Sequence, residues 1–455
     1  MKERLSLKVS ISGVRGVIGE SLTPQLAARF AQAFGTYLGR GKVIVGRDAR
    51  PSGVMLQEAV FAGLLSVGCQ PVAGGLCPIP SLQVLTRAAQ ARGGLAVTAS
   101  HNPAEWNGLK FIGGAGLFLN RSRFDEFIDI YHQGEFSFVR ADKFKPLLAE
   151  AKPGRPHLEK LFAALDVERI RAGRFKVAVD CVNGAGTVLV PEFLRELGCR
   201  PLLLNAVPDG RFAHPPEPVP ENLGGLCRAV AARGADIGFA QDADADRLAV
   251  VDENGIAIGE ELTLALAVKH VLTKTPGPVV VNLSSTRAID DIAAAAGVPV
   301  FRTRIGEINV VEELLEREAV IGGEGNGGVI WPAVHPCRDS FAAMGLILEI
   351  MAVSAKTPSA LRSEIPVYRM VKDKVAGTPE QAHRAVKELK KKYAGRGEII
   401  TLDGLKIVFK DAWVHLRPSN TEPIIRVVAE ARTLSEARRL VRLFKGELKR
   451  LLIGP

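Results

Sequence analysis

Residues 93–110 read GGLAVTASHNPAEWNGLK, and the fold class turns on where the apolar run inside them stops. Residues 95–97 have the character of a strand end, while Asn102-Pro103 and Asn107-Gly108 are turn signals on either side of a short polar loop. Ser100 opens that loop. A serine placed just after a strand is carried on a rigid scaffold and is expected to be exposed there. His101 and Lys110 flank it as donors, and Lys110 offers fixed positive charge to a phosphate or a developing oxyanion. By itself such a loop is more often an ordinary capped turn.

Outward from it, the first 150 or so residues alternate helical and strand patterns. A helix is expected at 24–38, a strand at 42–45 and a helix near 54–66, which together read as α/β. Two arginine-bearing turns, Gly13-Val14-Arg15-Gly16 and Gly46-Arg47-Asp48-Ala49-Arg50, interrupt the alternation where a loop could face a ligand. For Arg47, Asp48 and Arg50 a buried ion pair is at least as good a reading as ligand contact.

After a Pro/Gly-rich linker at 151–156, a second α/β unit begins with a strand at 175–180 and ends in IGFAQDADADRLAVV at 237–251. Asp242, Asp244 and Asp246 stand at alternate positions directly after a strand. Like charges so close repel unless a cation sits among them, and an all-oxygen donor set suits Mg²⁺ first, with Mn²⁺ or Ca²⁺ after it. An EF-hand is formally available, since these residues and Glu253 fall at its positions 1, 3, 5 and 12. Arg247 stands where that loop needs glycine, and 248–251 reads as a strand, so the calcium reading fails.

A turn at Glu253-Asn254-Gly255 leads into a third unit of the same kind, with helices at 261–272, 286–296 and 308–316 and strands at 278–283 and 300–303. It ends in a strand that runs into Gly323-Glu324-Gly325-Asn326-Gly327-Gly328, where glycines would let the backbone approach a ligand and Glu324 and Asn326 could read hydroxyl groups. A glycine-rich turn without a ligand is the competing reading. A linker at 355–366 precedes the last unit, which has helices near 379–393 and 434–452 around strands. Between strands at 412–416 and 424–429 lies a loop, Arg417-Pro418-Ser419-Asn420-Thr421-Glu422-Pro423, that offers a guanidinium, hydroxyls and an amide as a phosphate cradle, with Arg426 adding charge. A polar hairpin loop that binds nothing fits that stretch about as well.

A chain of 455 residues, 47% hydrophobic with 46 Gly and 27 Pro, is globular and too long for one core. No signal-peptide or membrane-length apolar run is present; 341–353 comes nearest, and Glu349 interrupts it, so a soluble cytoplasmic protein is expected. Six cysteines without a CxxC pair fit buried thiols in a reducing compartment. The net charge of +10 lies wholly in residues 366–455, with 20 Lys and Arg against 10 Asp and Glu, leaving 39 of each before. That terminal excess makes a polyanion- or nucleic-acid-binding protein the alternative functional class. Its charges lie on helix faces with few aromatics, which favours a solvated surface attracting small anions, so no nucleic-acid partner is expected.

Taken together the four loops resemble the α-D-phosphohexomutase family, which includes phosphoglucomutases, phosphomannomutases and phosphoglucosamine mutases, and the resemblance covers the whole chain in the family order. TASHNP at 98–103 is similar to the phosphoserine loop, DADADR at 242–247 to the metal loop, GEGNG at 323–327 to the sugar-binding loop and RPSNTEP at 417–423 to the phosphate-binding loop. The resemblance implies four domains around a central cleft, three related α/β units and a C-terminal α+β domain, here 1–152, 153–252, 253–364 and 365–455. It implies a phosphomutase of the isomerase class that interconverts hexose 1- and 6-phosphates, with a hexose 1,6-bisphosphate as intermediate and activator. Ser100 would carry the phosphoryl group; Asp242, Asp244, Asp246 and a phosphoserine oxygen would hold one Mg²⁺ per chain; Arg15, Lys110 and Arg247 would add positive charge, and His101 would position the serine. Glu324, Asn326, Arg417, Ser419, Asn420, Thr421 and Arg426 would bind the phosphosugar. Two departures stand out. Ala243 and Ala245 replace glycines common in the metal loop, which should spare the carboxylates. Asn326-Gly327-Gly328 replaces a Ser-Gly-His ending found in many bacterial members, which leaves the acid/base group unassigned. Glucose, mannose and glucosamine phosphates all stay open as substrates, as does the oligomeric state.

Overall fold

The computed structural model describes residues 7–419 and 423–453. Among the described residues four sheets follow one another in chain order. The first has seven strands in the order Lys8–Ser10, Gly13–Val17, Trp106–Gly113, Gly93–Val97, Gly41–Arg47, Cys69–Leu76 and Leu148–Ala149. The second has four, Leu248–Val251, Ile237–Gln241, Lys176–Asp180 and Arg200–Leu204, and the third has five, Val300–Thr303, Val279–Asn282, Ile321–Glu324, Gly328–Trp331 and His335–Arg338.

These three sheets place their motif loops in equivalent positions. In each, a strand with one parallel neighbour runs out at its C-terminal end and returns as an antiparallel partner: Gly93–Val97 into Trp106–Gly113, Ile237–Gln241 into Leu248–Val251, and Ile321–Glu324 into Gly328–Trp331. The C-terminal ends of parallel strands are where α/β sheets present ligand sites, because the connecting loops converge there. The fourth sheet, Arg369–Ala376, Ile424–Ala431, Ala412–Pro418, Leu405–Val408 and Glu398–Ile400, is antiparallel throughout and carries the helices Pro379–Lys392 and Leu434–Ile453.

Most expected elements stand where the periodicity put them. The helix Pro24–Leu38 starts at a Thr23 side-chain cap and a proline in its first turn, and stops at the left-handed Gly39. Three expectations need correction. Gly13–Val17 is a strand rather than a turn; Gly13 needs glycine for its φ of +105°, where a Cβ would meet the Leu109 carbonyl at 2.3 Å, and Gly16 for close approach, since a Cβ there would stand 2.9 Å from Leu22 Cβ. The linker at 355–366 holds a short helix, Pro358–Ser363, capped by Thr357. Arg417 lies in the strand Ala412–Pro418, directly across from Arg426, and not in the loop. Asn420 and Thr421 fall outside the described residues.

One apolar core runs unbroken from the second sheet into the third, and the helix Ser340–Ser354 is packed deep within it. Glu349, the acidic residue inside that helix, is buried but fully engaged by His270 at 2.8 Å, Lys274 at 2.7 Å and the Asp166 N–H at 2.8 Å. Five of the six cysteines are buried, and all six thiols are free. Among the described residues no helix is long and apolar enough to cross a membrane.

Candidate active site

Ser100 adopts the left-handed conformation, φ +52°, which costs a non-glycine residue on the order of 1 kcal/mol and persists only where neighbours enforce it. Arg50 is that neighbour. Its guanidinium donates to the carbonyls of Ser100 (2.7 Å), Asn102 (2.6 Å), Pro103 (2.5 Å) and Trp106 (3.0 Å), so one buried cation ties down the loop from the serine onward. Asp48 fixes Arg50 in turn, at 3.0 Å to Nε and 3.0 Å to the backbone N–H. The ion-pair reading of Asp48 and Arg50 is thus the right one. Thr98 accepts from the Ser100 N–H at 2.9 Å and donates to Asp48 at 2.7 Å, which completes the frame.

The serine is not exposed as the sequence suggested. It is 1% accessible, because the aspartate loop of the second sheet closes over it. Ser100 Oγ lies 3.3 Å from Asp242 Oδ2 and 3.4 Å from His101 Nδ1. Asp242, Asp244 and Asp246 are all fully buried, and each offers an oxygen within 4.8 Å of the others'. The backbone N–H groups of Asp246 and Arg247 donate to Asp242 Oδ1 at 3.0 and 3.1 Å, leaving Oδ2 turned to the serine. Lys110 reaches Asp244 at 2.8 Å and Asp246 at 3.6 Å, and Arg247 stands 4.0 Å from Asp242 and 3.8 Å from Asp246. Arg15 donates to the Asn102 side chain at 3.2 Å.

Burial works to raise all three carboxyls. At Asp242 repulsion from Asp246 and Asp244 adds to it, and this group is pushed well above the usual carboxylate range. Burial is the largest influence on the other two as well, but at Asp244 it is outweighed by Lys110, the Asp242 hydrogen bond and Arg338 together, and at Asp246 by Arg338, Lys110 and Arg247 together, so both are held low. Buried oxygens Asp244 Oδ1 and Asp246 Oδ1 have no hydrogen-bond partner. Hard carboxylate oxygens, converging and partly unsatisfied beside a hydroxyl, fit a small hard cation such as Mg²⁺. The His101 imidazole is held well below its ordinary pKa by Arg247, by burial and by Arg15, so it is neutral beside the serine.

A second group of residues gathers around a cavity of about 150 Å³ between the third and fourth sheets. Glu324, Asn326, Arg417 and Arg426, all expected from the motifs, line it, and Ser419 is buried in the adjoining strand end. Lys372, Glu261, Asn282, Ser284 and His415 line it as well; no motif pointed to them. His415 donates from Nε2 to the Asp403 carbonyl and accepts from Ser284 at 2.8 Å; burial pushes it down to about 4. Burial pushes the Glu261 carboxyl up to about 8, with Lys372 3.7 Å away acting against it.

Arg338 joins the two groups, and sequence reasoning missed it. Buried at the end of His335–Arg338, it binds Asp246 of the aspartate loop at 2.5 Å and Glu324 of the glycine-rich loop at 3.0 Å. An arginine before an N-capping aspartate carries no motif, so only the assembled fold could find it.

Models of the four parts of one enzyme family match in order along the chain: phosphoglucomutase/phosphomannomutase alpha/beta/alpha domains I, II and III at residues 7–138, 155–255 and 260–368, and the C-terminal domain at 369–445. The chain belongs to the phosphoglucomutase/phosphomannomutase family. It is 42% identical to a phosphoglucomutase/phosphomannomutase of Thermococcus kodakarensis, over 97% of this chain and 98% of that protein. It is 37% identical to a protein of Methanopyrus kandleri named as a probable phosphoglucosamine mutase, over 94% and 95%. A crystal structure of a phosphoglucomutase/phosphomannomutase family protein from Burkholderia thailandensis superposes with a TM-score of 0.83 at 27% identity, covering 98% of each chain. This family member is therefore a phosphohexomutase, a phosphomutase of the isomerase class, with the family's four-domain architecture.

Proposed function

We propose that the enzyme interconverts the 1- and 6-phosphates of an aldohexose (glucose, mannose or glucosamine) through a phosphoserine at Ser100 and a hexose 1,6-bisphosphate that also serves as activator. The observation that carries this reading is the 3.3 Å approach of Ser100 Oγ to Asp242 inside a cluster of three buried carboxylates and a lysine. A hydroxyl so placed has the surroundings of a phosphoryl carrier rather than of a capped turn.

Asp242, Asp244 and Asp246, with a phosphoserine oxygen, would hold one Mg²⁺. Bound there, it supplies charge neutralisation for the transferring phosphoryl group. Lys110, Arg247 and Arg15 add positive charge around the same oxygens, in a buried site where each charge counts for more than in water. His101, neutral, orients the serine hydroxyl. At the other end, Arg417 and Arg426 take the phosphate that is not being transferred, with Ser419, Asn420 and Thr421 as further ligands, while Glu324 and Asn326 hold sugar hydroxyls. The bisphosphosugar turns over between the two ends and returns its other phosphate to Ser100. A phosphosugar is the partner the site calls for, and the setting is the cytoplasm.

A coupled assay on glucose, mannose and glucosamine 1-phosphates, with Mg²⁺ and the matching 1,6-bisphosphate, tests the reading. Turnover of at least one is expected, and none on any would sink it.

A further inference from the structure

Arg338 does more than fill space. Its guanidinium touches three carboxylates from three different elements: Asp246 at 2.5 Å, Glu324 at 3.0 Å and Glu307, at the start of the helix Glu307–Glu316, at 3.1 Å. Its backbone N–H donates to Glu307 as well, at 3.1 Å. The side chain's path is fixed from the other side by Gly328. A Cβ there would stand 2.4 Å from Arg338 Cδ and 3.0 Å from Cγ, so the arginine runs through the space that any larger residue at 328 would fill. Asp246 gives one oxygen to Arg338 while the other lacks a hydrogen-bond partner.

We infer that Arg338 is the chain's own counter-cation for the aspartate cluster, a positioning residue that a divalent ion drives off Asp246 and onto Glu324. The inference rests on reading the three aspartates as the metal site. A dication on Asp246 repels the guanidinium and shares the carboxylate that held it. Glu307 and Glu324 remain, so the arginine's grip on the glycine-rich loop tightens when metal arrives. Metal and sugar phosphate thereby favour each other's binding, and by linkage the coupling is the same in both directions.

Mn²⁺ titration of the full-length protein, followed by electron paramagnetic resonance with and without the sugar 1-phosphate, tests this. Wild type should bind Mn²⁺ more tightly when the sugar phosphate is present. Arg338→Met should bind Mn²⁺ more tightly than wild type, by about tenfold or more, because a competing charge is gone. It should also lose the effect of sugar phosphate on Mn²⁺ and show a raised KM. Arg338→Lys should keep near wild-type Mn²⁺ affinity without restoring the coupling, since a shorter side chain ending in a point charge lacks the rigid planar fork that spans Asp246 and Glu324. A merely structural arginine predicts the opposite sign, with metal affinity falling in Arg338→Met; equal or weaker Mn²⁺ binding by the folded variant overturns the inference. Should Arg338→Met not fold, Glu324→Gln decides: it leaves the guanidinium to Asp246 and should weaken Mn²⁺ several-fold, and an unchanged affinity overturns the proposal. Failure of the wild type itself to bind Mn²⁺ would remove the metal-site reading and this inference with it, whereas wild-type binding without tightening in Arg338→Met removes this inference alone.

Discussion

At the scale of the residue, Ser100 and Asp244 carry the sharpest expectations. As a covalent carrier Ser100 should be found phosphorylated, at least in part, by intact mass and peptide mapping, and Ser100→Ala should be folded and nearly inactive. If the hydroxyl only capped a turn, the substitution would cost about 1 kcal/mol and leave turnover intact. Asp244→Asn should lower turnover greatly, with partial recovery at high Mg²⁺, because it weakens the donor set and takes the negative charge from the group 2.8 Å from Lys110. Turnover that survives thorough chelation in the wild type would speak against a metal at this site. These residues were legible in the chain because a strand end followed by acids or hydroxyls is a local pattern. Arg338 and Lys372 were not, since each is defined by partners far away in sequence, such as Asp246 for the one and Glu260 for the other.

At the scale of the element, the serine loop depends on Arg50. Arg50→Met would strip four carbonyls of their donor and leave Asp48 buried without its cation, a loss of about 3–5 kcal/mol. Thermal unfolding should register it as a lowered Tm, and activity should fall even where the variant stays folded; a Tm within a degree of wild type would show that the loop holds itself. Helices were read well because their apolar period and caps are written within the element, as at Thr23 and Gly39. The strand Gly13–Val17 was misread because two glycines in five residues look like a turn, while its real determinant is pairing with Trp106–Gly113, some ninety residues on. The short helix Pro358–Ser363 was lost for a similar reason: six residues carry too little periodicity to outweigh the prolines and serines around them.

Across the whole molecule buried imidazoles tie one sheet to the turns of the next. His335 of the third sheet donates to the carbonyl of Gly116, in the turn after the strand Trp106–Gly113, at 2.9 Å, and His415 of the fourth accepts from Ser284, in the turn after the strand Val279–Asn282, at 2.8 Å. Burial pushes each down to about 4. Their folded pKa values lie below the unfolded value of about 6.5, so the unfolded chain takes up protons first, and the stability they contribute is present above pH 6.5 and lost as pH falls towards 4. The loss is at most about 3 kcal/mol for each, and His335→Gln and His415→Asn should each flatten Tm against pH across that window; an undiminished slope in both would place the acid sensitivity elsewhere. The burial of the cysteines has a use of a different kind. Cys69 is pushed up to about 11, and Cys77, Cys181 and Cys199 up to about 12, so the native protein should resist alkylation at these positions at neutral pH. Cys69 starts a strand of the first sheet, Cys199 directly precedes one of the second and Cys337 lies in the third, and residues 366–455 hold none. Timed labelling with iodoacetamide, read peptide by peptide, would therefore clock the opening of three parts of the molecule separately while the fourth stays silent.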